Sequence, residues 1–158
     1  MLCVPVYHRI AWRNKTLLSR KLMNEYLFVY GSLRSSGEVP AQIAPIVHRF
    51  RRLGAAQVNG LLYDFGHYCG AVLDNSGNSI VHGELVELPS GEDVLQALDR
   101  YEEIDPTNAD KSVFARQRTT VVLADGSIHN AWIYVYNKPA RGAPVIEGGD
   151  YLQSKAKP

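Results

Sequence analysis

Short apolar runs separated by turn-forming residues dominate the chain. Tyr26–Tyr30 (YLFVY) is a continuous apolar run and reads as a short buried strand. Arg51–Tyr63 (RRLGAAQVNGLLY) reads as a longer strand, with Gly54 and Gly60 as points of bulge or close backbone approach. Ala71–Leu73 and Ile80–Leu88 are further strands, and the DNSGNS between them is turn chemistry. Residues 114–123 and 128–136 flank ADGS, and Asp-Gly between two β-rich runs predicts a hairpin. One helix stands out. Pro89-Ser90 opens it, Ser90 is a suitable N-cap, and Glu92 and Asp93 suit its first turn. VLQALDRYEEI carries it to about Ile104. Residues 38–50 (EVPAQIAPIVHRF) read as irregular to helical, broken by Pro40 and Pro45, and NKPARGAPVIEGGDY reads as a Pro/Gly-rich loop. Many strands with one clear helix make a mixed α+β chain whose sheet curls into a small barrel.

Composition narrows the class. A chain of 158 residues, 46% hydrophobic and 21% charged, fits one domain with a proper core. A formal net charge of +1 gives no general pull toward nucleic acid or a membrane surface. No apolar run approaches the roughly 18 residues that a membrane helix needs. Cys3 and Cys69 form no C-x-x-C pair, so neither a disulfide framework, a zinc site nor a redox dithiol is suggested, and a reducing cytoplasm is the expected setting. The first 22 residues, MLCVPVYHRIAWRNKTLLSRKL, contain no acid and carry Arg9, Arg13, Lys15, Arg20 and Lys21. Residues 1–22 are expected to be a basic extension outside the functional domain, which then spans 23–158; a targeting segment is the secondary reading.

The stretch FVYGSLRSSG, residues 28–37, is the first candidate for chemistry. It lacks the G-x4-G-K-[ST] of a phosphate loop, the G-x-G-x-x-G of a dinucleotide site and the G-x-S-x-G of a nucleophile elbow. Two readings fit. A strand ending in Gly-Ser-Leu can turn successive backbone N–H groups into one concavity that binds a carboxylate or an oxyanion. The other, which this stretch alone favours, is an ordinary strand-to-loop turn. The helix supplies the second candidate. At about 100° per residue, Val94, Leu95, Leu98 and Tyr101 lie along one stripe, and Glu102 falls on it four residues after Leu98. Asp99 and Glu103 point to the side, as solvated acids do. A carboxyl facing the interior at a helix C-terminus has its pKa pushed up by burial and by the helix dipole, which suits a general acid/base. The alternative is a glutamate reaching water at a frayed end, or paired with Arg116 or Arg118.

Six blocks then occur in order: FVYGSLR, GLLYDFGHY, VHGELVEL, LDRYEEI, AWIYVYN and EGGDY. Together they resemble the γ-glutamylcyclotransferase-like family, which includes γ-glutamylamine cyclotransferases and avirulence-induced-gene-like proteins, over about residues 26–151. The resemblance implies a small mixed β-barrel flanked by helices. It implies a pocket at Tyr30, Gly31, Ser32 and Leu33 whose backbone holds a γ-glutamyl group. It also implies a catalytic glutamate in a Leu-Asp-x-x-Glu segment, which falls on Leu98, Asp99 and Glu102. The implied activity is an acyltransferase or lyase type of cleavage. A γ-glutamyl amide cyclises by intramolecular aminolysis, releasing 5-oxoproline and an amine or amino acid, with Glu102 as general acid/base. The partner is then a small γ-glutamyl substrate, with no cofactor, nucleic acid or membrane. Three positions depart from the family pattern: Glu103 stands where Gly is frequent, Phe114 where Tyr is frequent, and Cys69 where Pro is frequent.

Other residues carry two readings each. Tyr151 can close the pocket from the C-terminal loop or merely pack. Arg34 and Arg141 can attract an anion or be solvated surface. His48, His67, His82 and His129 lack ligand-like spacing, so no metal site is expected. Asp64 suits a turn contact, and Trp132 and Tyr134 suit core packing on a strand. A non-catalytic protein on the same fold, holding a small carboxylate-bearing ligand, is the alternative to an enzyme.

Overall fold

A computed structural model describes residues 24–90 and 93–156. The basic extension at 1–22 and the expected first-turn Glu92 lie outside the described residues. The elements in chain order are β1 (Tyr26–Val29), α1 (Ala44–Val47), β2 (Arg51–Asp64), β3 (Cys69–Leu73), β4 (Ile80–Glu87), α2 (Val94–Tyr101), β5 (Phe114–Leu123), β6 (Ile128–Tyr136) and α3 (Tyr151–Ala156). A short 3₁₀ turn at Ala109–Lys111 precedes β5. Among the described residues no helix is long and apolar enough to cross a membrane.

The strands run β3-β2-β4-β1-β6-β5, and β5 pairs back onto β2 through Ala56–Leu123 and Gln57–Val122. Five strands thus close a mixed barrel, with β1–β6 its parallel pair. The length of β2 makes closure possible. Its first part pairs with β4, shifting register between Arg52 and Gly54, and its last five residues pair with β3 instead. Gly60 sits at that handover, where a Cβ would lie 2.6 Å from the Val72 carbonyl oxygen, so only glycine lets the strands approach. The hairpin at ADGS forms as expected, with Phe114–Val122 paired against Ile128–Tyr136.

Two cores share the sheet. Phe28, Tyr30, Leu62, Leu85, Val121, Ile133 and Val135 fill the barrel. Leu27, Val29, Leu33, Val47, Val86, Leu98 and Tyr134 form an outer layer beneath α1 and α2. Alternation along β1 and β6 divides each strand between the two, which is why β1 reads as a continuous apolar run. Burying each large side chain contributes about 1.5–3 kcal/mol, so β1 is anchored from both faces.

The helices differ from the sequence expectation. α2 starts at Val94, with Asp93 at the N-cap position and no side-chain cap bond, rather than at Ser90. It ends at Tyr101 rather than near Ile104. Glu103 adopts φ +55°, the Ile104 N–H donates to the Asp99 carbonyl (2.9 Å) and the Glu103 N–H to the Arg100 carbonyl (3.3 Å). This is a Schellman termination, and it stops the helix whatever the helix propensity of the following residues. Pro45 lies in the first turn of α1, where its missing N–H is harmless, instead of breaking a helix. The stretch 137–150 is loop as expected, and α3 begins at Tyr151, where the Asp150 carboxylate accepts from the Leu152 and Gln153 N–H groups (3.1 and 3.3 Å) and caps it.

Glu103 carries the left-handed conformation that glycine adopts without penalty. Its side chain is exposed. Glu103→Gly should therefore raise stability by about 0.5–1 kcal/mol, or roughly 1–4 °C in Tm. Glu103→Ala should not. Urea unfolding of both variants checks this.

Candidate active site

The site is built from the end of β1. Tyr30 points into the barrel, where its hydroxyl donates to the Tyr134 carbonyl (2.6 Å) and accepts from the Ala71 N–H (3.3 Å). With Tyr30 held there, the chain leaves the sheet at a fixed point and turns twice between Gly31 and Gly37. The Arg34 N–H donates to the Gly31 carbonyl (3.2 Å) and the Gly37 N–H to the Arg34 carbonyl (2.9 Å). Gly37 folds back so closely on Ser32 that a Cβ would lie 2.4 Å from the Ser32 oxygen. Leu33 is buried in the outer core and anchors the loop from behind.

A cavity of about 590 Å³ opens over this loop. Gly31, Ser32 and Leu33 form one wall, the end of α2 with Tyr101 and Glu102 another, and Tyr151 and Lys155 of α3 a third. All six residues singled out from the sequence, Tyr30, Gly31, Ser32, Leu33, Glu102 and Tyr151, line this one cavity. Tyr151 does so as the first residue of α3, half-buried and packed on the barrel core.

Glu102 as a whole is half-buried. Burial of its carboxyl pushes the pKa from 4.5 to about 7. Among the described residues no basic side chain opposes that shift. Arg116 pairs with Asp99 (3.4 Å), and Arg118 pairs with Glu25 while stacking over Trp132 (4.0 Å). The alternative pairing of Glu102 with either arginine is thus not what forms. Instead Glu102 sits among weak acids. Burial raises the pKa values of Tyr30, Tyr101, Tyr134 and Cys69, and repulsion from Glu102 adds to each. The Cys69 thiol, pushed up to about 12, stays protonated. The Ser32 side chain offsets part of the rise at Tyr101.

Several expectations change. Asp99 is not a free solvated acid: it accepts from the Tyr134 hydroxyl (2.8 Å) as well as pairing with Arg116. Arg34 is neither a substrate attractor nor solvated surface. It does not line the cavity, and it is largely buried between Asp150 and Glu84. Arg141 is exposed, as the surface reading had it. Asp64 makes its turn contact to the Gly66 N–H (2.8 Å) and also pairs with Lys155 (3.1 Å). Tyr134 packs as expected, yet it also lines the cavity, as do Tyr101, Cys69, Phe114 and Lys155, which the sequence reading had not placed there. Tyr101 could have been found on the apolar stripe beside Glu102; Lys155 depends on α3, whose only signal was the capping Asp150.

Residues 27–153 match the family described as gamma-glutamyl cyclotransferase, AIG2-like. The Escherichia coli K12 gamma-glutamylcyclotransferase family protein YtfP is 34% identical over 132 residues, 80% of this chain and 95% of that protein. Its solution NMR structure superimposes with a TM-score of 0.53 at 31% identity, covering 82% of this chain and 98% of that one. The Bacillus subtilis YkqA crystal structure gives 0.62 at 24% identity, covering 85% of this chain and 44% of that one, and a mouse AIG2-like protein gives 0.57 at 18%, covering 81% and 88%. The chain belongs to the gamma-glutamyl cyclotransferase, AIG2-like family, and its closed mixed barrel is that family's fold.

The raised pKa makes a stability prediction. Between pH 4.5 and about 7 the folded protein keeps a proton on Glu102 that the unfolded chain has released. Stability from this group is therefore complete below pH 4.5 and is lost as pH rises through 7. Glu102→Gln removes the slope. Relative to the parent, the variant should gain on the order of 3 kcal/mol between about pH 4 and about pH 8. Urea unfolding of the pair across that range measures it; equal slopes would contradict the burial.

Proposed function

We propose that the protein cleaves a γ-glutamyl amide by cyclisation, releasing 5-oxoproline and an amine or amino acid. The single observation that carries this is the Glu102 carboxyl, held near neutrality by burial, in the same cavity as the Gly31–Leu33 backbone. The functional unit is residues 23–158, acting on a small molecule in the cytoplasm with no cofactor in any step.

Nucleophile and electrophile belong to one substrate, so the cavity's task is to fold it into a near-attack shape. The substrate's protonated α-amine loses its proton to the Glu102 carboxylate. The free amine attacks the γ-carbonyl carbon, a C–N bond closes the five-membered lactam, and the carbonyl oxygen becomes an oxyanion. Backbone N–H groups of the Gly31–Leu33 turn hold that oxyanion or the α-carboxylate. As the tetrahedral centre collapses, the original amide C–N bond breaks and protonated Glu102 delivers its proton to the leaving nitrogen; the regenerated Glu102 carboxylate then takes the surplus proton from the ring nitrogen and passes it to the departing amine, which leaves as an ammonium ion. A pKa near the working pH suits a group that must accept a proton and return it in one cycle.

Phe114 favours a second reading. It lines the cavity without a hydroxyl, at the position where the family frequently has tyrosine. A protein that holds a carboxylate-bearing ligand without turnover would need no such hydroxyl. Incubation with γ-glutamyl amino acids, γ-glutamylamines and γ-glutamyl-ε-lysine, followed by assay for 5-oxoproline, separates the two. Turnover supports the enzyme, and binding without product supports the second reading. For the accepted substrate, Glu102→Gln should stay folded and bind, but lose about 10²–10⁴ of the rate. The parent's rate should fall as pH drops below about 7, where Glu102 becomes protonated. Full turnover by the variant would refute the assignment.

A further inference from the structure

We propose that Arg34 is a positioning residue for this reaction: it ties the Gly31–Gly37 loop to α3 and so fixes the spacing of two cavity walls. The role in turnover rests on the function proposed above; the tie itself does not.

Arg34 is the pivot of the loop. Its N–H and carbonyl make the two turn hydrogen bonds that shape residues 31–37. Its side chain runs away from the cavity, only 14% exposed, and its guanidinium donates to the Asp150 carboxylate at 2.8 Å. Asp150 is equally withdrawn, and the same Oδ1 oxygen caps α3 through the Leu152 and Gln153 N–H groups. The guanidinium therefore orients the carboxylate that orients the helix bearing Tyr151 and Lys155.

On the other side Arg34 Nε faces Glu84 at 3.8 Å, beyond hydrogen-bond reach, and is buried without a hydrogen-bond partner. The pairing with Asp150 thus decides where the guanidinium sits. Glu84, 12% exposed, accepts from the Ser35 N–H (3.0 Å) and hydroxyl (2.6 Å) and from Arg52 (2.9 Å), so the loop's outer turn is bolted to β4. Removing the guanidinium leaves the withdrawn Asp150 carboxylate without its ion-pair partner, whereas Glu84 keeps Arg52 and Ser35.

α3 needs such a tie. Six residues are too few for a helix to persist alone, and none of its residues is fully buried. Lys155 fixes its far end to Asp64 and the Gly66 carbonyl (3.3 Å), and the Gly149 carbonyl accepts from the His82 N–H (2.8 Å) just upstream. Among the described residues, Arg34–Asp150 is the ion pair that joins the N-terminal end of α3 to the loop. Loop amides and α3 side chains face one substrate, and a displacement of about 1 Å at a reacting centre can lower rate about 10²-fold.

The test uses Arg34→Met, Asp150→Asn, the double variant and Arg34→Lys. Hydrogen exchange is followed at residues 31–37 and 151–156, together with kcat, KM and the pH profile on the accepted substrate. Each single neutralising variant should speed exchange in both segments together. KM should rise about tenfold or more, the ionisation near pH 7 should stay in place, the double variant should be no worse than the worse single, and Arg34→Lys should recover most of the loss. Faster exchange in one segment alone, additive effects in the double variant, or a lower Tm with KM unchanged would each overturn the proposal. If the parent binds 5-oxoproline without turning over any substrate, calorimetric affinity replaces KM. Weakened binding in Arg34→Met would then support the tie while the enzyme reading fails. Normal turnover with uncoupled exchange sinks the tie alone, and a parent that neither binds nor turns over overturns the proposed function and the positioning role, while coupled exchange in the variants still supports the tie.

Discussion

Withdrawal of the Glu102 carboxyl from water, with no cation among the described residues to offset it, is the constraint on which the site depends. A carboxylate beside an arginine would titrate low and stay ionised, able to attract a cation but unable to hold a proton at neutral pH. The fold avoids this by engaging its nearby arginines elsewhere: Arg116 with Asp99, Arg118 with Glu25 and the face of Trp132. Around Glu102 it places phenols and a buried thiol, groups that are themselves harder to ionise for being there. The site is thus a pocket of protonated weak acids, bounded by the Gly31–Leu33 turn.

The position of that carboxyl follows from packing on the outer face of the sheet. Leu98 is fully buried against a layer that includes Leu27 and Val29 of β1. One helical turn later Glu102 meets the point where β1 ends, and the chain enters Gly31. Tyr30, locked inside the barrel by two hydrogen bonds, fixes that same point from the other side. The barrel interior and the outer layer therefore converge on one spot, with the carboxyl supplied by one and the backbone turn by the other. Replacing Gly with Glu103 beside the carboxyl leaves this arrangement intact: the departure sits in a left-handed helix stop with an exposed side chain.

Much of this was legible in the sequence because it rests on local rules. The continuous apolar run at Tyr26–Tyr30 reported a strand buried on both faces, Asp-Gly reported the hairpin, and the stripe from Val94 to Leu98 pointed at Glu102. What escaped depended on partners distant in sequence. Arg34 and Asp150 are separated by 116 positions, so nothing local distinguishes a clamped arginine from a solvated one. Asp99 read as solvated because its partners, Tyr134 and Arg116, come from strands β6 and β5. The helix end at Tyr101 depended on a backbone angle that Glu103 does not advertise. α3 was masked by the glycines before it, although Asp150 carried a capping signal.

A direct titration of the Glu102 side-chain carboxyl by carbon NMR, with Glu102→Gln used to assign its resonance, tests the central claim. The account predicts a midpoint near 7. A midpoint close to the ordinary 4.5 would mean that water or a cation reaches the carboxyl, and would contradict the account.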